Sequence, residues 1–267
     1  MAKYTAIVLS AGKGSRMGSS VHKQYLLLCG RPVIYYTLKA FEESPVDEIV
    51  LVTGEGEEEY CRKEIVEKYK LHKVTKIVKG GKERYHSVFQ GLSACEYTDY
   101  VLIHDGARPF IEQKVIRRTM DEVREKRACI AAVPVKDTIK KVDENGKVED
   151  TPPRKSLYTV QTPQAFSYSL IYDSYQKMIA DGREDVTDDA MVVEAYGKVP
   201  VYVIDGSYRN FKITTPEDLE MAEFMLNAGN PGLHSSFPHV PLRSAFWYIR
   251  SPRENLWKKY GFHPAPS

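Results

Sequence analysis

A chain of 267 residues, 42% hydrophobic and 28% charged, is sized for one large globular domain with an appendage. It contains no apolar run of the ~18 residues needed to cross a bilayer, and Met1-Ala-Lys-Tyr leads straight into a strand-like segment rather than a signal peptide. The net charge of +2 is uneven: residues 229–267 hold Arg243, Arg250, Arg253, Lys258 and Lys259 against Glu254, so the body is close to neutral and unlike a nucleic-acid-binding surface.

Tyr4-Thr-Ala-Ile-Val-Leu9 reads as a first strand and runs into the glycine-rich turn Ser10-Ala-Gly-Lys-Gly-Ser-Arg-Met-Gly18. This turn is not a P-loop, because Gly12-Lys13 is followed by Gly14 instead of Ser or Thr. It also misses the dinucleotide fingerprint, which needs glycine where Met17 stands. Small residues at Ala11, Gly12, Gly14 and Ser15 let backbone N–H groups approach a phosphate chain. Lys13, Arg16 and Lys23 add three cations, a density suited to a triphosphate whose charge redistributes during reaction.

Downstream, β-branched runs alternate with amphipathic stretches. A helix is expected over 32–43, a strand at 48–53, a charged helix at 57–70 and a strand at 74–78. A helix around 85–96, a strand at 100–104, a helix at 114–126 and a strand at 128–133 follow. That alternation predicts βαβ units and a mostly parallel, covered sheet, with ligands at the carboxyl ends of strands where the strand order reverses. Lys79-Gly-Gly-Lys-Glu-Arg-Tyr-His-Ser87 is a second glycine turn, whose N–H groups at Gly80 and Gly81, with Arg84 and Ser87, could read a base or ribose. Asp105 closes a strand and could hold Mg²⁺, while Arg108 could fork onto an anion. Residues 136–160 read as a polar hairpin arm with Asn145-Gly146 at its tip, which cannot bury a core alone and needs something to pack on. Thr214-Thr-Pro-Glu-Asp218 caps a helix with apolar positions Leu219, Ala222, Met225 and Leu226. The tail from 229 holds six of the fifteen prolines and both tryptophans, and is expected to be loosely ordered. Cys29, Cys61, Cys95 and Cys129 form no C-x-x-C pair and read as reduced thiols.

Together these segments resemble the 2-C-methyl-D-erythritol 4-phosphate cytidylyltransferases, in the family's order: SAGKGSRMG, KQYL (23–26), GGKERYHSV (80–88), HDGARP (104–109), PVKDT (134–138), QTPQAF (161–166), VTDDA (186–190) and FKITTPEDL (211–219). The resemblance covers 3 to about 228 and implies a Rossmann-like α/β nucleotidyltransferase fold with a projecting β-arm, a homodimer exchanging arms over 136–160, CTP and a polyol phosphate as substrates, and Mg²⁺; the composition and the N-terminal pattern are those expected of a cytoplasmic protein. It implies Arg16, Lys23 and Lys212 at the reacting phosphates, with Ser10, Ala11, Gly12, Lys13, Gly14 and Ser15 cradling the nucleotide. It places Gly80, Gly81, Arg84 and Ser87 around the cytosine. It assigns Asp105, Arg108, Thr138, Thr162 and Thr187 to the acceptor, with Arg154 reaching in from the partner's arm. Arg209 stands where relatives are often acidic, which leaves Asp105 as the only metal candidate of the motif set. The related ribitol 5-phosphate cytidylyltransferases tend to carry a serine–valine pair where this chain has Gly106-Ala107.

Overall fold

The computed structural model describes residues 2–12 and 22–228. Lys13, Gly14, Ser15, Arg16 and the tail 229–267 lie outside the described residues. Seven strands form the central sheet: β1 (Tyr4–Ser10), β2 (Glu48–Thr53), β3 (Val74–Lys79), β4 (Tyr100–Asp105), β5 (Ala128–Pro134), β6 (Tyr158–Ser167) and β7 (Tyr202–Asp205). Their spatial order is β7-β5-β6-β4-β1-β2-β3. β6 runs antiparallel to both of its neighbours, and the remaining pairs are parallel.

The alternation of side chains explains why the sheet is covered on both faces. Ala6, Val8, Ile49, Leu51, Leu102 and Cys129 point to one face, where they meet α1 (Val33–Glu42) and α3 (Gln113–Lys126). Ile7, Val50, Val52, Val101, Ile103 and Phe166 point to the other, against α2 (Arg84–Ala94) and α4 (Tyr168–Ala180). Residues 57–70, expected as one helix, hold a short α-turn Glu58–Tyr60 and a π-helical stretch Cys61–Glu67 that buries Cys61 and Ile65. α5 (Pro216–Ala228) starts as expected: the Asp218 carboxylate accepts from the N–H groups of Thr214 and Thr215, while Leu219 and Ala222 are buried.

The arm is smaller than its sequence suggests. Its ladder is confined to Lys141–Val142 and Val148–Asp150, closed by a turn with Gly146 at φ +80° and Asp143 accepting from the N–H groups of Asn145 and Lys147. Tyr158–Val160 already belong to β6 and pair with Ala132–Pro134 of β5. β6 and α4 were not legible as such, because β6 carries Gln161, Thr162 and Gln164 in its buried middle.

Candidate active site

β1 lies at the reversal of strand order, with β2 on one side and β4 on the other. The register brings Ser10 opposite Thr53, Leu9 opposite Asp105 and Thr53 opposite Lys79, so four carboxyl ends finish level. Over them opens a cavity of about 990 Å³. Its walls include Ala11, Gly12, Lys23, Gly80, Gly81, Arg84, Ser87, Asp105 and Lys212, residues drawn from five separated sequence segments that were expected to share a site.

Ala11, just after β1, and the second glycine turn meet tightly on one side of the cavity. A Cβ built on Gly80 would lie 2.5 Å from Ala11 Cβ and 2.7 Å from Ser87 Oγ. The N–H of Gly81 donates to Ser87 Oγ at 3.1 Å, so Ser87 buttresses the second loop. Gln24, not expected at the site, donates from Nε2 to the carbonyls of Ser10 and Gly12 and holds the backbone that follows β1. His22, Glu55, Lys79 and Lys82 also line the cavity without having been expected.

Asp105 sits at the head of the cavity, its Oδ2 3.1 Å from Lys212 Nζ and 3.3 Å from Arg108 Nε, its Oδ1 3.5 Å from Arg84 Nε. Burial alone would raise its carboxyl pKa, but Lys212, Arg84 and Arg108 outweigh that and hold it well below the usual carboxylate range. Both oxygens are therefore engaged by cations. Among the described residues no group of three His, Cys, Asp or Glu side chains converges. This carboxylate does not fit the Mg²⁺-ligand role expected of it, since an ion there would sit against three positive charges.

The segment carrying Lys212 is locked to the strand ends. Asn210, fully buried, donates from Nδ2 to the Thr162 carbonyl at 2.7 Å, and its own carbonyl accepts from Arg108 Nη1 at 2.8 Å. The Ile213 N–H donates to the Ala107 carbonyl at 2.8 Å. Thr162 Oγ1 accepts from the Asp105 N–H at 3.1 Å and lies 3.0 Å from Nδ1 of the buried His104. Arg108 and Thr162 thus stand behind the Asp105 wall, outside the cavity lining, and Ser10 is buried beneath it.

Thr138, Thr187 and Arg154 are exposed and away from the cavity lining within one chain. Arg154 donates to the Lys136 carbonyl at 2.9 Å, and Thr187 Oγ1 lies 3.8 Å from Met191 Sδ. Arg84 was expected to read a base or ribose; both its Nη atoms are instead bound to Asp189, at 2.9 and 2.8 Å.

A partly parallel α/β sheet with two glycine loops and a cation-rich cavity at its carboxyl edge defines a nucleotide-handling enzyme of the nucleotidyltransferase class. The family profile for 2-C-methyl-D-erythritol 4-phosphate cytidylyltransferase (IspD) matches residues 4–228. The chain is 50% identical over 226 residues to the enzyme of that name from Lachnoclostridium phytofermentans, covering 85% of this chain and 97% of the relative. It is 49% identical over 227 residues to the one from Clostridium novyi, covering 85% and 97%. Its fold is similar to the crystal structure of 4-diphosphocytidyl-2C-methyl-D-erythritol synthase from Anaerococcus prevotii, with TM-score 0.76, 37% identity and coverage of 85% and 96%. The chain belongs to the 2-C-methyl-D-erythritol 4-phosphate cytidylyltransferase family.

Proposed function

We propose that the protein transfers CMP from CTP to 2-C-methyl-D-erythritol 4-phosphate. A phosphate oxygen of the acceptor attacks the α-phosphorus of CTP, the α–β anhydride bond breaks, and pyrophosphate leaves with 4-diphosphocytidyl-2-C-methyl-D-erythritol as the second product. The observation that carries this reading is the Asp105–Lys212 pair at the end of a cavity whose other wall is two glycine loops.

The glycine loops take the nucleotide: their backbone N–H groups suit phosphate and base edges. Lys23 and Lys212, with Arg16, supply positive charge for the α-phosphate and the leaving pyrophosphate. A phosphate monoester is largely ionised at neutral pH, so positioning and electrostatics suffice and no general base is needed. Asp105 offers its remaining lone pairs to the acceptor's hydroxyl groups. Mg²⁺ enters as the counter-ion of the CTP triphosphate, and so as part of the substrate.

Thr138, Thr187 and Arg154 complete the acceptor site in a homodimer, with Arg154 contributed by the partner's arm. The arm and the adjoining strand expose Ile139, Val142, Val148, Tyr158 and Val160, apolar surface that a second copy would bury. No helix of the described residues is long and apolar enough to cross a membrane, and a cytoplasmic location is part of this proposal.

The ribitol 5-phosphate alternative is disfavoured at Gly106. A Cβ there would lie 2.5 Å from Ile34 Cδ1 and 2.8 Å from the Leu9 carbonyl oxygen, so the serine that those enzymes tend to carry would not fit here unless its surroundings shift. Pyrophosphate release from CTP with each acceptor tests the assignment. Turnover with methylerythritol phosphate and little with ribitol phosphate is the expected result; the reverse preference, or no release with either, would overturn it.

A further inference from the structure

A line of alternating charge runs from the core to the cavity. Tyr175 Oη donates to Asp189 Oδ1 at 2.6 Å, and both Asp189 oxygens accept from the two Nη atoms of Arg84. The remaining Nε of Arg84 faces Asp105 Oδ1 at 3.5 Å, and Asp105 in turn meets Lys212 and Arg108. Asp189 and Tyr175 are completely buried. Burial and the neighbouring Asp189 charge raise the Tyr175 pKa well above its ordinary value, so the phenol stays a donor.

Asp189 is itself fixed from the sheet. Gln164 Oε1 accepts from the N–H groups of Asp189 and Ala190, both at 3.0 Å, while its Nε2 donates to Asp188 Oδ2 at 2.9 Å. Gln164 lies on β6 directly opposite Ile103 of β4, two residues before Asp105. The start of the short helix Asp189–Val192 is thereby tied to β6, which pairs with β4, the strand that ends in the cavity.

Such a clamp is a poor way to gain stability alone, because apolar side chains of similar volume often do as well as a buried ion pair. What it supplies is direction. A guanidinium bound bidentately has one orientation, and here that orientation spends the fork on Asp189 and leaves only Nε for the cavity. The geometry therefore assigns Arg84 the task of setting Asp105 rather than gripping a ligand with its fork.

We propose that Asp189 is a positioning residue for the transfer reaction: through Arg84 it holds the Asp105 carboxylate in place for the acceptor. This rests on the reading of Asp105 as an acceptor-binding group. Removing Asp189 frees the Arg84 fork, which swings to Asp105 and occupies the lone pairs the acceptor needs.

The test is a double-mutant cycle with wild type, Asp189→Asn, Arg84→Met and the double variant, varying CTP and methylerythritol phosphate separately. In Asp189→Asn, a rise of about tenfold or more in acceptor KM is expected, within the usual range for coupled neighbours, with CTP KM changed less than about twofold. In the Arg84→Met background the same substitution should add less than about twofold. Equal effects in both backgrounds, or a matching rise in CTP KM, would overturn the proposal. Tyr175→Phe removes one hydrogen bond without stranding a charge; it folds more safely and should raise acceptor KM a few-fold, whereas unchanged acceptor KM would count against the anchor. A wild-type enzyme inactive with methylerythritol phosphate would defeat the functional reading instead. The anchor would then stand or fall on whether Asp189→Asn and Asp105→Asn are coupled in thermal unfolding, additive effects being the overturning result.

Discussion

Lys212 Nζ lies 3.1 Å from Asp105 Oδ2, joining the segment after β7 to the end of β4 across the mouth of the cavity. One cation thus faces a buried carboxylate and at the same time lines the cavity. Replacing it has separable consequences for folding and chemistry.

Lys212→Ala should lower kcat by about 10²-fold, the usual loss when one preorganised charge donor is removed. Arg108 and Arg84 still face Asp105, so the fold should survive. Pyrophosphate-release kinetics beside a circular dichroism melt decides this. Near-normal kcat in a folded variant would remove Lys212 from the reaction.

Burial pushes the His104 imidazole down to about 3, and although Asp105 pulls the other way, it does not compensate. The unfolded chain binds that proton near pH 6.5 and the folded one does not, so stability should be full above pH 6.5 and fall steadily as pH drops toward 3. His104→Asn keeps a polar atom near Thr162 and should flatten this part of the profile. Urea unfolding at a series of pH values measures it; equal slopes for both proteins would contradict the assignment.

Gly80→Ala would place a methyl 2.5 Å from Ala11 Cβ, 2.7 Å from Ser87 Oγ and 3.2 Å from the Thr53 carbonyl. Overpacking of that kind costs about 1–3 kcal/mol. The two glycine loops must part to admit it, so CTP KM should rise more than acceptor KM. A thermal-shift titration with CTP gives the answer, and unaltered CTP affinity would show that the loops do not form one nucleotide wall.

Arg154→Ala should raise acceptor KM far more than CTP KM, because Arg154 lies on the arm and is absent from the lining of its own cavity. Mixing this variant with Lys212→Ala provides a sharper form. If arms are exchanged, each mutant supplies what the other lacks in one of the two sites, and mixed dimers regain activity. Absence of recovery in verified heterodimers would argue that Arg154 serves its own subunit.

The strand–helix alternation of the first half was legible because its cause is local. Runs such as Ile49-Val-Leu-Val52 are buried on both faces and read as continuous apolar strands, and each carries its turn chemistry beside it. The glycine loops and Asp105 were visible for the same reason: ligand sites in such sheets follow from where strands end. β6 was not visible, because its middle spends polar side chains on partners far along the chain. Gln164 bonds the segment 188–190, Gln161 bonds Ser207, and the Thr162 hydroxyl accepts from the Asp105 N–H. In one dimension those residues look like a loop.

Sequence by itself determined which chemistry is present: small residues for close backbone approach, cations for phosphates, and an acid at a strand end. Only the tertiary structure decided how the charges are shared. Arg84 is a free fork in the sequence, and becomes a strut once Asp189 is folded beneath it. Asp105 is a candidate metal ligand until three cations converge on its two oxygens. Pairing is settled by distance and burial, since charges interact strongly only over a few ångströms of low-dielectric protein, and sequence spacing carries no record of either.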